Sequence, residues 1–162
     1  MSKRIFISGV AGFLGSHLAD DLLSKGHEVV GIDNMIGGYH DNVPAGVEFE
    51  PVDCNSPDLK KYMNDVDIVF HCAATAYEGL SVFSPYLINQ NNYMATVRML
   101  NAATINEVDR FVYTSSMARY GTNQVPFTED MIPQPQDPYG ISKYAGELMV
   151  KNMAEVFGFD FV

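Results

Sequence analysis

Six short runs of apolar residues, rich in β-branched and aromatic side chains, recur along the chain: RIFIS at 4–8, EVVGI at 28–32, VEFEPV at 47–52, DIVFHCA at 67–73, RFVYTS at 110–115 and FDFV at 159–162. Their length and composition predict strands. Between them lie segments whose apolar positions repeat every three or four residues, at 13–25, 58–64, 85–106 and 138–157. That spacing predicts helices. In the first, Leu14, Leu18, Leu22 and Leu23 form one stripe, and the closing SKGH places a glycine where a helix stops.

Strands alternating with helices predict an α/β fold, a doubly wound parallel sheet covered on both faces. The uninterrupted apolar runs VVGI and IVF fit strands buried on two sides. No repeat or low-complexity tract interrupts the order. The segment 125–138, VPFTEDMIPQPQDP, carries four prolines and reads as a loop. A length of 162 residues predicts one domain, 1–162. The last strand opens at about Phe159 and the sequence ends inside it, so the expectation is a chain whose continuation lies elsewhere.

Composition narrows function mainly by exclusion. Twenty Asp and Glu oppose ten Lys and Arg, a net charge of -10 with no basic cluster. Nucleic acid and anionic membrane surfaces are therefore poor partners. No apolar run has signal-peptide or bilayer-spanning length, so the chain reads as cytoplasmic. Cys54 and Cys72 sit in apolar runs and read as small buried hydrophobes. The four histidines, His17, His27, His40 and His71, have no metal-binding spacing, and no metal site is expected.

In ISGVAGFLGSH, Gly9, Gly12 and Gly15 stand three apart behind the first strand. Gly9 would turn the chain sharply, Gly12 would let the backbone approach a pyrophosphate, and Gly15 would let the next helix pack close to the sheet. Such a helix points its free N–H groups at the phosphates. Asp33 ends the second strand 18 residues beyond Gly15, where an acceptor for ribose hydroxyls is expected. Its carboxylate would repel a ribose 2′-phosphate, which selects NAD over NADP. Asp53, after the third strand, could accept from the adenine amino group, or could simply hold an Asx turn.

A second constellation is YGISK, which places Tyr139 and Lys143 on one helix face. A lysine ammonium beside a phenol favours the phenolate, making Tyr139 a general base that removes a hydroxyl proton while hydride leaves the same carbon. Upstream, Ser115 or Ser116 at the end of the fifth strand opens into the crevice where such sheets bind ligands.

With these residues the sequence resembles the extended short-chain dehydrogenase/reductases, specifically the NAD-dependent nucleotide-sugar epimerases and dehydratases. The likeness rests on GVAGFLGSH, Asp33-Asn34, HCAA at 71–74, NNYMAT at 91–96, TSSMARYG at 114–121 and PYGISKYAGE at 138–147. It implies a Rossmann-type sheet of strand order 3-2-1-4-5-6. It also implies NAD contacts from Gly9, Gly12, Phe13, Leu14, Gly15, Asp33, Asn34, Asp53, Cys54, Ala73, Ala74 and Asn92, beside Tyr139 and Lys143. Of the two serines, the resemblance selects Ser116, five before Gly121, as the catalytic hydroxyl.

Dehydratases of this family carry an acid pair after that serine, and decarboxylating relatives a glutamate at its second position; here Met117 and Ala118 occupy those places. The resemblance thus implies a UDP-glucose 4-epimerase-like reaction on a nucleotide sugar. A nucleotide-sugar dehydratase or another carbinol dehydrogenase of the same family, or an NAD-binding module without turnover, stay open as alternatives. Arg119 stands where the family has a small or apolar residue and could reshape the sugar pocket. The loop 75–86 is expected to face substrate, with Tyr77, Glu78 and Ser81 as candidates. Relatives continue past FDFV into a C-terminal substrate-binding part, missing from this chain, and often dimerise through helices matching 85–106 and 138–157.

Overall fold

The computed structural model describes residues 2–162. Six strands, β1 (Arg4–Ser8), β2 (Glu28–Ile32), β3 (Glu48–Glu50), β4 (Ile68–His71), β5 (Arg110–Tyr113) and β6 (Asp160–Phe161), form one sheet in the order β3-β2-β1-β4-β5-β6. Every pairing is parallel. From β1 the chain builds outward to β3, then crosses back to β4 on the other side of β1. The carboxyl ends of β1 and β4 therefore flank the crevice that a reversal of strand order creates.

Alternation along β1 divides the interior in two. Ile5 and Ile7 pack with Val29, Ala19 and Leu22, the last two from helix α1 (Phe13–Ser24). Phe6 points the other way, into a core with Met99 and Leu100 of α3 (Ala95–Ile105) and Val150 of α4 (Pro138–Phe157). Both faces of the sheet are covered, as the continuous apolar strands require.

Local chemistry explains where the elements fall short of their predicted lengths. The run at 47–52 pairs only as Glu48–Glu50, since Pro51 has no N–H to give the ladder. The run at 67–73 leaves the sheet after His71, where its backbone crosses over Gly9. The predicted helix at 58–64 is a 3₁₀ turn, Leu59–Met63. The predicted helix at 85–106 is broken: α2 (Pro85–Asn89) passes through a π-helical turn, Gln90–Met94, into α3. Such turns insert a residue and re-aim side chains, here burying Asn92. Pro138 opens α4 behind an Asp137 cap, and Gly158 closes it at φ 81°.

Candidate active site

The turn after β1 has the geometry its glycines imply. Gly9 adopts φ 74°, and a Cβ there would stand 2.8 Å from the Ala73 nitrogen. A Cβ on Gly15 would overlap the Gly9 carbonyl, so only glycine lets α1 start this close to β1. Gly12 is the N-cap of α1, and no side chain caps the helix. Its first N–H groups stay free, which suits an anion.

Gly9 and Gly12 line a cleft of about 270 Å³ running from the β1 turn to the ends of β2 and β4, while Gly15 lies behind it on α1. On the β2 side, Asp33 accepts from the Ala11 nitrogen at 3.1 Å and the Met35 nitrogen at 2.8 Å. Asn34 donates to Asp53 Oδ2 at 2.8 Å, and the Asn55 nitrogen donates to Asp53 Oδ1 at 2.7 Å. Burial alone would raise the Asp53 carboxyl, but these hydrogen bonds outweigh it and hold the group below its ordinary value. Burial pushes the Cys54 thiol up to about 12 and the Cys72 thiol up to about 11, so both are neutral walls of the cleft. Backbone donors at one end, carboxylates at the other and a glycine turn between them fit a dinucleotide.

Beyond β5, Ser116 opens a 3₁₀ turn, Met117–Tyr120, its Oγ accepting from the Ala118 nitrogen at 3.2 Å. That turn packs on the start of α4: a Cβ on Gly140 would come within 2.7 Å of the Ala118 carbonyl oxygen. Tyr139 is buried there with Ala118 and Ile88. One turn further along α4, Lys143 is only 2% exposed, and its Nζ stands 4.3 Å from the centre of the Tyr113 ring. Burial brings the Lys143 ammonium down to about 8, against smaller opposing effects of Cys72 and Glu147. The fold thus gathers Ser116, Tyr139 and Lys143 around the start of α4.

Gly9, Gly12, Asp33, Asn34, Asp53, Cys54, Ala73, Ala74 and Tyr77 all lie on the cleft wall. Phe13 and Leu14 project from the first turn of α1 and are exposed. Asn92 lies beneath the cleft rather than on its wall: its side chain bonds both backbone groups of Thr75 and donates to Ser142 Oγ at 3.2 Å. It ties the loop after β4 to α4. Ser81 is fully buried and donates to Glu78 O and to Asp137 Oδ1, so it does not face a substrate. Glu78 begins the 3₁₀ turn Glu78–Phe83 that carries it. Arg119 turns away from the cleft to pair with Glu147 at 2.8 Å.

Sequence reading missed His71. Thr96 donates its one hydroxyl hydrogen to Asn92 O, so Thr96 Oγ1 accepts from His71 Nε2 at 3.0 Å. Nδ1 is then the acceptor, taking the Ser8 hydroxyl hydrogen at 2.7 Å, while Ser8 Oγ accepts from the Ala73 nitrogen at 3.2 Å. The result is one chain of like-directed hydrogen bonds from the cleft wall to the π-helical turn. Burial and the nearby Lys143 charge bring His71 down to about 3, so it is a neutral strut. Gly37 and Gly38 were missed as well: their loop folds over Ala11, with the Tyr39 nitrogen donating to Ala11 O at 3.1 Å.

Known proteins match this arrangement over nearly its whole length. The sequence profile of the NAD dependent epimerase/dehydratase family matches residues 5–162. UDP-glucose 4-epimerase of Streptomyces lividans is 36% identical, over 98% of this chain and 50% of its own length. A UDP-N-acetylglucosamine 4-epimerase from Methanobrevibacter ruminantium M1, solved with UDP-N-acetylmuramic acid, superposes with a TM-score of 0.93 at 33% identity, covering 99% of this chain and 53% of its own. UDP-glucose 4-epimerase from Brucella ovis, solved with NAD, gives 0.93 at 30%, covering 99% of this chain and 50% of its own. The chain spans about half the length of the curated relatives it matches. The profile match over residues 5–162 and 36% identity over nearly the whole chain make the chain a member of the NAD dependent epimerase/dehydratase family.

Proposed function

We propose that this chain is the cofactor-binding and catalytic part of an NAD-dependent nucleotide-sugar 4-epimerase of the UDP-glucose type. The observation that carries the reading is a buried Lys143 one helical turn from Tyr139, in the same fold as a glycine-lined cleft with an uncapped helix N-terminus. The glycine turn and the α1 N–H groups would hold the pyrophosphate, Asp33 the ribose hydroxyls, and Asp53 with Asn34 the adenine edge. With Asp33 at the ribose, a 2′-phosphate is disfavoured.

Bound NAD supplies the hydride acceptor for oxidation at the sugar's C4. Ser116 Oγ holds the 4-oxygen, and Tyr139 removes its proton. The Lys143 ammonium favours the phenolate that does so. Once the 4-keto sugar has turned over, Tyr139 would return the proton to the 4-oxygen. Met117 and Ala118 supply no second acid or base, which supports epimerisation over dehydration. Tyr77, on the cleft wall, is positioned to meet the sugar. Exposed Leu87, Met94, Ile105, Leu148 and Val156 on α2 to α4 support a homodimer through those helices. No described helix is long and apolar enough to cross a membrane, which fits action in the cytoplasm.

The test is interconversion of UDP-glucose and UDP-galactose by the full gene product. Tyr139→Phe is expected to reduce the rate to below a few per cent. Retention of more activity than that overturns the assignment.

A further inference from the structure

Lys143 and Glu147 are four residues apart on α4, a spacing at which opposite charges ordinarily pair. They do not pair here. The Glu147 carboxylate is ion-paired with Arg119 Nη1 at 2.8 Å and accepts from the Ser115 hydroxyl, while the Lys143 ammonium stands over the Tyr113 ring. Arg119 itself is wedged between aromatic faces, its guanidinium 5.1 Å from the Tyr120 ring centre and 5.6 Å from that of Tyr144. Its Nε is buried with no partner. A short apolar residue at 119 would avoid that cost and would leave Glu147 without its arginine.

We propose that Arg119, with Ser115, is a positioning residue that withholds the Glu147 carboxylate from Lys143, leaving the lysine ammonium unpaired for Tyr139. The inference rests on reading Lys143 as part of the catalytic set. The titratable groups around Lys143 come from three elements. Tyr139 and Glu147 belong to α4, Tyr113 to β5, and His71 and Cys72 to β4 and the residue after it. His71 and Cys72 are neutral near pH 7, as is Tyr113, whose hydroxyl burial pushes up. Glu147 is therefore the one carboxylate among these groups that could capture the ammonium, and Arg119 occupies it.

Titration of the Lys143 side chain decides the matter. It is followed by NMR in full gene product carrying ¹³Cε-labelled lysine, with the signal identified by its loss in Lys143→Met. Arg119→Leu frees Glu147 and is expected to raise the Lys143 midpoint by roughly one pH unit. Adding Glu147→Gln to that variant should restore the original midpoint, and Arg119→Lys should leave it nearly unmoved. A midpoint in folded Arg119→Leu equal to that of the parent overturns the proposal. If Arg119→Leu does not fold, Glu147→Gln alone decides: an already sequestered carboxylate predicts a change below about 0.3 pH units, and a fall of a unit or more overturns it. These readouts do not depend on turnover. Failure of the functional reading shows separately, as epimerase activity surviving in Lys143→Met.

Discussion

Two helices carry the candidate site, and their first turns are built in opposite ways. α1 starts at Gly12 with no side-chain cap and no acidic residue in its first turn. α4 starts at Asp137, whose Oδ1 accepts from the Gly140 nitrogen at 2.9 Å and from Ser81 at 3.3 Å, with Pro138 at the next position. An uncapped helix start costs stability unless something else meets its N–H groups. At α1 the proposed pyrophosphate site gives that part to a ligand anion. At α4 the protein satisfies the donors itself, and the fixed first turn becomes a mount for Tyr139. One N-terminus is left open to bind, and the other is closed to hold a side chain still.

Exchanging the two designs gives the largest expected effect. Gly12→Asp would give α1 the kind of cap α4 has, and its carboxylate would occupy the N–H groups and repel a pyrophosphate. NAD affinity, measured by calorimetry, is expected to fall on the order of 100-fold. The melting temperature should hold or rise. An unchanged affinity would mean that the open helix end is not the phosphate seat.

Lys143, on the capped helix, carries the stability cost on that side. Its ammonium titrates at about 8 in the folded chain, against an ordinary 10.5. Below pH 8 both folded and unfolded states hold the proton, so the full penalty, about 3 kcal/mol, weakens the fold. Between 8 and 10.5 the folded state sheds the proton first and the penalty fades. Lys143→Met is therefore expected to raise unfolding stability by about 3 kcal/mol at pH 7 and by almost nothing near pH 10.5. Urea unfolding at the two pH values checks this, and a destabilised variant at pH 7 would mean that the lysine is structural.

His71 sets the acid limit. Its folded value of about 3 lies below the ordinary 6.5, so between those values the unfolded chain binds a proton that the folded chain refuses. This one group should make stability fall as pH drops from 6.5, with a slope approaching 1.4 kcal/mol per pH unit. His71→Gln should flatten that part of the stability curve. Equal slopes in the two proteins would show that His71 is not the group responsible.

The same contrast explains what could be read from the sequence. The open half works through backbone, and backbone demands leave a signature in spacing: Gly9 and Gly15 are legible because no other residue fits a φ of 74° or a Cβ-free contact with a carbonyl. The parallel sheet followed from the alternation of elements, and its strand order from the family pattern. The closed half works through side chains brought together from distant segments. Ser8, His71 and Thr96 lie on β1, β4 and α3, and nothing in their linear spacing announces a hydrogen-bonded chain. Ser81 shows the same limit, since a loop serine looks alike whether it faces a sugar or, as here, a helix cap. The break at Asn92 escaped notice because a π-helical turn keeps the apolar repeat that predicts one unbroken helix.

The smallest expected effect tests how far the cap of α4 reaches. Asp137→Ala removes the acceptor for the Gly140 nitrogen and should cost about 1 kcal/mol in unfolding stability, the usual worth of such a cap. Ser81→Ala deletes only the donor to the same oxygen and should cost less. If the cap also serves as the mount of Tyr139, Asp137→Ala will lower kcat of the full gene product severalfold while NAD affinity, set at the other helix, stays unchanged. A fall in NAD affinity with kcat preserved would reverse that division, tying the capped helix to binding and leaving Tyr139 to be held by its contacts with Ile88 and Ala118 alone.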